Sequence, residues 1–232
     1  MGNTLSTARS GRGGARGAGR PARGRPPRRR LSAAERRREL LAAAGAILGE
    51  RGVDAVQIGE VAAAAGVTRQ LVYRFFPSRP ALVVGLLEDF ADDLTRRFGE
   101  GAARSIPGSL EAVARVFVEA VCDTIEAKGA GPWHLLDSRG PDPEVARVAR
   151  RILDRLVAPW VAPIAETIGV SALEAAIVAR MIVAAGRAVL EPWHDGTLTR
   201  EEAVRMTTRG VSALLEAFGG AAGSAAKPRR RR

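Results

Sequence analysis

The chain has 232 residues and a net charge of +11, with 46% apolar residues and 4% aromatic ones. That length and apolar content are enough to bury the core of one large or two small domains. No apolar run approaches the roughly 18–20 residues of a membrane span, and the single cysteine, Cys122, excludes an intrachain disulfide and fits a reducing compartment.

The charge is unevenly placed. Residues 1–30 carry nine arginines and no acid, and residues 219–232 carry four arginines, one lysine and no acid. These tail charges exceed the net total, so the stretch from 31 to 218 is mildly acidic. Within it, residues 31–80 are net basic and residues 81–218 net acidic. A basic head on an acidic body is the pattern of a chain that touches a polyanion at one end.

Residues 1–30 are almost wholly Gly, Ala, Arg and Pro, a composition that cannot offset ordering entropy by burial, so a disordered tail is expected. MGNTLS fits a myristoylation pattern, with basic residues behind it, but a plain disordered start is the preferred reading. The arginines precede no apolar segment, so no secretory signal is expected. Residues 219–232 read as a second disordered tail, and KPRRRR resembles a nuclear import signal only in composition.

Between the tails nearly everything has helical periodicity, and period-two β-branched runs are missing. Helices are predicted at 33–51, 58–65, 69–76, 79–98, 109–128, 132–138, 143–168, 172–192 and 200–218, an all-α chain of about nine helices. Capping boxes, in which a hydroxyl and a glutamate three residues on satisfy free amides, mark Ser32 with Glu35, Ser171 with Glu174 and Thr199 with Glu202. Asp142-Pro143-Glu144 marks a fourth start. Pro159 and Pro163 are expected to kink or break the seventh helix, and Gly52 to close the first in a left-handed cap.

The first helix turns Leu40, Leu41, Ala44, Ile47 and Leu48 to one face, and the second turns Ile58, Val61, Ala62 and Ala65 inward. Gly66-Val67-Thr68 then reads as a tight turn, with Gly66 at positive φ, Val67 as a core plug and Thr68 as the next cap. Two short helices joined this way are a helix-turn-helix. In the third helix Val72, Phe75 and Phe76 fall on one flank. Arg69, Gln70, Tyr73 and Arg74 fall on the other, with Leu71 at the border. Arginine, glutamine and an apolar side chain are what base edges and thymine methyls accept in a major groove.

The stretch IGEVAAAAGVTRQLVYRFFPSRPAL, residues 58–82, resembles the signature of the TetR (tetracycline-repressor) family of bacterial transcriptional regulators. The matches are Val61-Ala62, Ala65-Gly66-Val67-Thr68, Val72-Tyr73, Phe76 and Leu82. Two positions depart from the pattern. Gln57 stands where a capping threonine is usual, and Arg79 where a lysine is usual, which keeps the charge but not its geometry.

The resemblance implies four segments: a tail at 1–30, a DNA-binding head at 31–79, a helical ligand-binding and dimerisation body at 80–218, and a tail at 219–232. It implies double-stranded DNA as partner, with Arg69, Tyr73 and Arg79 on phosphates and Gln70, Leu71 and Arg74 facing bases; Thr68 belongs to the same face. Phosphate contacts position and base contacts specify. It implies a homodimer through helices 172–192 and 200–218, whose apolar faces exceed what one internal neighbour can cover.

A small-molecule effector is expected in the body, and Phe117, Trp133, His134, Trp160 and Met181 are the candidate lining. No cofactor and no metal are expected, since His134, His194 and Cys122 lack ligand spacing. No catalytic constellation stands out, and Cys122, mid-helix among apolar residues, reads as an inert thiol. The chain therefore reads as a non-enzymatic, cytoplasmic, bacterial, ligand-responsive repressor on a palindromic operator. The alternative is an architectural protein that coats DNA through its basic tails.

Overall fold

The structure is a computed structural model that describes residues 31–104, 109–136 and 142–225, with side chains as far as Gly219. Both tails lie outside the described residues apart from the start of the second. Nine α-helices and no strand occur among the described residues. They are α1 (Ala33–Arg51), α2 (Ile58–Ala64), α3 (Arg69–Phe75), α4 (Arg79–Arg104), α5 (Leu110–Lys128), α6 (Gly131–Leu135), α7 (Pro143–Ile168), α8 (Ala172–His194) and α9 (Arg200–Ala225).

Helix starts follow the local chemistry. Ser32 and Ser171 form complete capping boxes with Glu35 and Glu174. Thr199 does the same with Glu202, its Oγ accepting from the Glu202 amide at 3.2 Å while Glu202 Oε2 accepts from the Thr199 amide at 2.8 Å. These bonds hold all three carboxyls below the ordinary glutamate range: backbone first, then side chain, for Glu35 and Glu202, and the Ser171 side chain first for Glu174. Asp142 caps α7 through the amides of Glu144 and Val145, with Pro143 at the first helical position.

Several boundaries differ from those read off the sequence. A short 3-10 turn, Val53–Ala55, precedes α2. Gly52 closes α1 at φ 79 and ψ 175, an extended rather than left-handed helical ψ. Helix α4 runs to Arg104, through Gly99 and Gly101, and Gly101 lets α5 come close: a Cβ there would stand 2.8 Å from Cγ1 of Val116. Helix α7 is not broken by Pro159 and Pro163. Both prolines lie on its exposed side, where water can bond the carbonyls they leave unpaired.

One buried cluster runs from Leu40, Ala44 and Leu48 of α1 through Leu82, Leu87 and Phe90 of α4 into Val121 of α5, Trp133 of α6 and Ile152 of α7. A smaller one joins Val157, Ile164 and Ile168 of α7 to Ala175, Val178 and Ala179 of α8. Helix α4 is thus the shared spine. Its first half packs on α1 and its second half on α5 and α7, so the three helices α1–α3 and the five helices α5–α9 are joined through a common apolar core.

Candidate nucleic-acid interface and body cavity

The turn between α2 and α3 is built from backbone bonds. The Gly66 amide bonds the Ala63 carbonyl at 3.1 Å and the Val67 amide bonds the Ala62 carbonyl at 2.9 Å. That is the paired bonding of a Schellman cap, and it requires the left-handed residue that Gly66 supplies at φ 63. Thr68 then caps α3, its Oγ1 accepting from the Leu71 amide at 3.3 Å.

Helix α3 separates its two faces as its periodicity predicts. Val72 is fully buried and Phe76 nearly so, whereas Thr68, Arg69, Gln70, Tyr73 and Arg74 are exposed. Leu71 and Phe75 are half-buried at the border, so Phe75 is less enclosed than its flank suggested. The Arg74 guanidinium lies 6.0 Å from the Phe75 ring centre. Tyr73 is 52% exposed, an unusual cost for a phenol ring unless something covers it. The exposed face carries two arginines and no acid.

Arg79 sits apart from this face. Its Nε donates to the Val56 carbonyl at 3.0 Å and its Nη2 to the Val53 carbonyl at 2.7 Å, with Asp54 at 3.5 Å. The first residue of α4 therefore pins the loop that leads into α2. Gln57 makes no cap bond at the start of α2, and its amide instead donates to the Asp54 carbonyl at 2.9 Å.

The five candidate lining residues of the body divide. Phe117 and Trp160 do meet, ring centres 5.4 Å apart, and both pack on Phe98 of α4 at 5.6 and 5.7 Å. They wall a cavity of about 40 Å³ between α5, α7, α8 and α9. Leu110, Val157, Ile182 and Leu215 complete much of its wall, which has no charged, hydroxyl or carboxamide side chain. The other three lie elsewhere. Trp133 is buried in α6 against Phe90, with Arg187 over its ring at 5.7 Å; His134 is exposed; and Met181 faces outward on α8.

A larger open cleft of about 620 Å³, which the sequence did not disclose, lies between α1 and the junction of α5 and α6. Arg38, Glu50, Asp89, Lys128 and His194 line it, and Lys128 pairs with Asp89 across it. The small residues Ala42, Gly45, Ala46 and Gly49 of α1 were its one visible trace. Among the described residues no group of histidine, cysteine and carboxylate side chains is placed to hold a metal ion. No single described helix is long and apolar enough to cross a membrane.

Residues 40–86, which span the turn and both of its helices, match the sequence model of the bacterial regulatory proteins of the tetR family. Residues 40–86 thus carry the DNA-binding head of the tetR family. The chain is 34% identical over 116 residues to the HTH-type transcriptional activator FasR of Mycolicibacterium smegmatis, covering 50% of this chain and 52% of that protein. It is also 34% identical over 88 residues to the HTH-type transcriptional repressor KstR2 of Rhodococcus jostii, covering 37% and 43%. The matched part thus spans about half the length of these curated relatives.

Solved structures match over most of the length. A putative transcriptional regulator from Pseudomonas aeruginosa gives a TM-score of 0.67 at 20% identity, covering 85% of this chain and 97% of its own. The TetR-like regulator LfrR of Mycobacterium smegmatis, in complex with proflavine, gives 0.50 at 25% identity, covering 76% and 95%. The first of these shows the fold alone. The matched segment is the helix-turn-helix of a DNA-binding regulator, and both curated relatives are transcriptional regulators.

Proposed function

We propose that the chain is a homodimeric repressor that binds a palindromic operator in the bacterial cytoplasm and leaves it when a small apolar molecule enters the body. The observation that carries the reading is the exposed face of α3. Arg69, Gln70, Tyr73 and Arg74 stand clear of the core with no acid among them, on a helix whose other side is locked by Val72 and Phe76. Such a helix fits a major groove, Arg69 and Tyr73 toward phosphates, Gln70, Leu71 and Arg74 toward base edges.

The pairing of protomers rests on α8 and α9. Leu173, Ile177 and Met181 are 73%, 48% and 39% exposed at successive i, i+4 positions of α8, and Met206 of α9 is 47% exposed. A second copy would cover this stripe and set two α3 helices about one DNA turn apart, roughly 34–36 Å. The effector reading rests on Phe98. It lies on α4, the spine shared with α1, and packs on the two rings that wall the apolar cavity. A ligand that enlarged the cavity would push on α4, and the equilibrium would move only as far as the ligand prefers one position of it. That the TetR-like regulator LfrR was solved in complex with proflavine supports a small-molecule effector.

The fully basic tails favour a second reading, an architectural protein that coats DNA. Selection of genomic fragments by the full-length chain, and by residues 31–218 beside it, separates the two at physiological salt. One palindromic motif recovered by both supports the repressor. If the shorter chain recovers nothing while the full chain retains every fragment, the tails do the binding and the second reading replaces the first, because tail binding tracks counterion release and not sequence.

A further inference from the structure

Gly59 is the second residue of α2, and its backbone is ordinary right-handed helix: it is not among the glycines at positive φ. A glycine there costs helix stability relative to alanine and gives nothing in return through conformation. Nor is its nearest neighbour a backbone: the three atoms that a Cβ at Gly59 would approach most closely all belong to a side chain. That Cβ would meet the guanidinium of Arg69, at 2.8 Å from Nη2, 3.0 Å from Nε and 3.1 Å from Cζ. The shortest of these is closer than a real Cβ contact and the other two are tight, so a side chain at 59 displaces that group.

Arg69 is the first residue of α3, and no hydrogen bond, ion pair or ring contact holds its side chain among the described residues. Glu60, the acid next to Gly59 in sequence, is engaged by Arg51 at 2.7 Å. An exposed arginine with no partner ordinarily samples many rotamers, and fixing it on a ligand costs entropy. Here its head is laid back over the bare backbone of α2, at the edge of the exposed α3 face.

We infer that Gly59 is a positioning residue for DNA binding: the space left by its missing side chain seats the unpaired Arg69 guanidinium where a backbone phosphate meets it. The inference rests on the DNA-binding reading of α3 and adds to it a residue that touches no DNA. It sets two properties in opposition. Alanine at 59 improves the helix and unseats the arginine, so stability and DNA affinity move in opposite directions.

The test uses the full-length chain, a duplex that the wild-type protein selects from a random-sequence library, and a random duplex as control. Gly59→Ala is expected to unfold at an equal or higher temperature while binding the selected duplex several-fold more weakly. The slope of log affinity against log salt should fall by about 0.9, the loss of one phosphate contact. Arg69→Ala should reproduce the weaker binding, and Gly59→Ala should add nothing in an Arg69→Ala background. Unchanged affinity and slope in Gly59→Ala overturn the inference, as does a loss that persists without Arg69. If the wild-type chain selects no duplex, the DNA reading of α3 falls first and this inference with it; wild-type selection with an indifferent Gly59→Ala removes the inference alone.

Discussion

Gly85 of α4 lies so close to the head that a Cβ on it would stand 2.8 Å from Cε1 of Phe76 and 3.4 Å from Cδ2 of Leu41. Phe76 is 2% exposed and is covered on another side by the Arg37 guanidinium, 5.3 Å from its ring centre. The ring therefore has little room to yield. Alanine at 85 gains about 1 kcal/mol of helix propensity, but overpacking a core costs about 1–3 kcal/mol. The expected outcome for Gly85→Ala is a net loss near 1 kcal/mol in urea unfolding, with weaker DNA binding because the last turn of α3 is pushed off α4. A stabilised protein would show that Phe76 can move aside. The contrast with Gly59, whose neighbour is the free end of an arginine, is the physical point.

Arg79 offers a second test. The carbonyl of the fully buried Val56 depends on its guanidinium, and the Val53 carbonyl accepts from it as well as from the Val56 amide. Hydrogen bonds to charged groups are worth about 1.5–3 kcal/mol, and partial exposure of the arginine side chain lowers that. Arg79→Ala should cost about 2 kcal/mol of stability by the same measure. Arg79→Lys should recover less than half of it, since one ammonium cannot span both carbonyls as a planar fork does. A variant that unfolds like the wild type but no longer binds DNA would instead put this side chain on a phosphate.

Much of α3 was legible because its information is local. A period of 3.6 sorts Val72 and Phe76 from Arg69, Gln70 and Tyr73, and Gly66 announces its own turn. What Arg79 bonds was not legible, since Val53 and Val56 lie 26 and 23 residues upstream and periodicity names a face without naming its neighbour. The body shows the same limit. Phe117 and Trp160 converge, yet Trp133 and Met181 share their chemistry and point elsewhere. Helix α8 is apolar almost all round, so composition could not say that Met181 faces out. Helix α4 was expected to end at 98, and nothing local announces that Gly101 lies against Val116.

That outward face of α8 makes its own prediction. Ile177 is 48% exposed in the middle of the stripe that runs from Leu173 to Met181. Ile177→Glu would set a carboxylate in the proposed dimer face of each protomer, where pairing must desolvate it. Sedimentation velocity should show a dimer for the wild type and a monomer for the variant, with helical content retained because Ile177 belongs to neither buried cluster. Gel shifts on the selected duplex should weaken sharply as the second half-site is forfeited. An unchanged dimer would place the interface on another surface.

Cys122 gives a prediction about pH. Its thiol is pushed up to about 12 from 9.0, chiefly by burial, with Arg200 opposing and the carboxylates of Glu126, Asp123 and Glu119 adding to the rise. Alkylating agents attack thiolate, so the native chain should resist iodoacetamide at neutral pH and react only as it unfolds. The folded value lies above the unfolded one, so the stabilising contribution is complete below about pH 9 and is lost as pH rises toward 12. In that window unfolding releases one thiol proton, which lowers stability by about 1.4 kcal/mol per pH unit. Cys122→Ala lacks this term. Urea unfolding of both chains near pH 8 and near pH 10 should therefore show a steeper fall for the wild type. Parallel curves would mean that the thiol ionises as readily in the folded chain as in the unfolded one, and that water reaches it between α5 and α9.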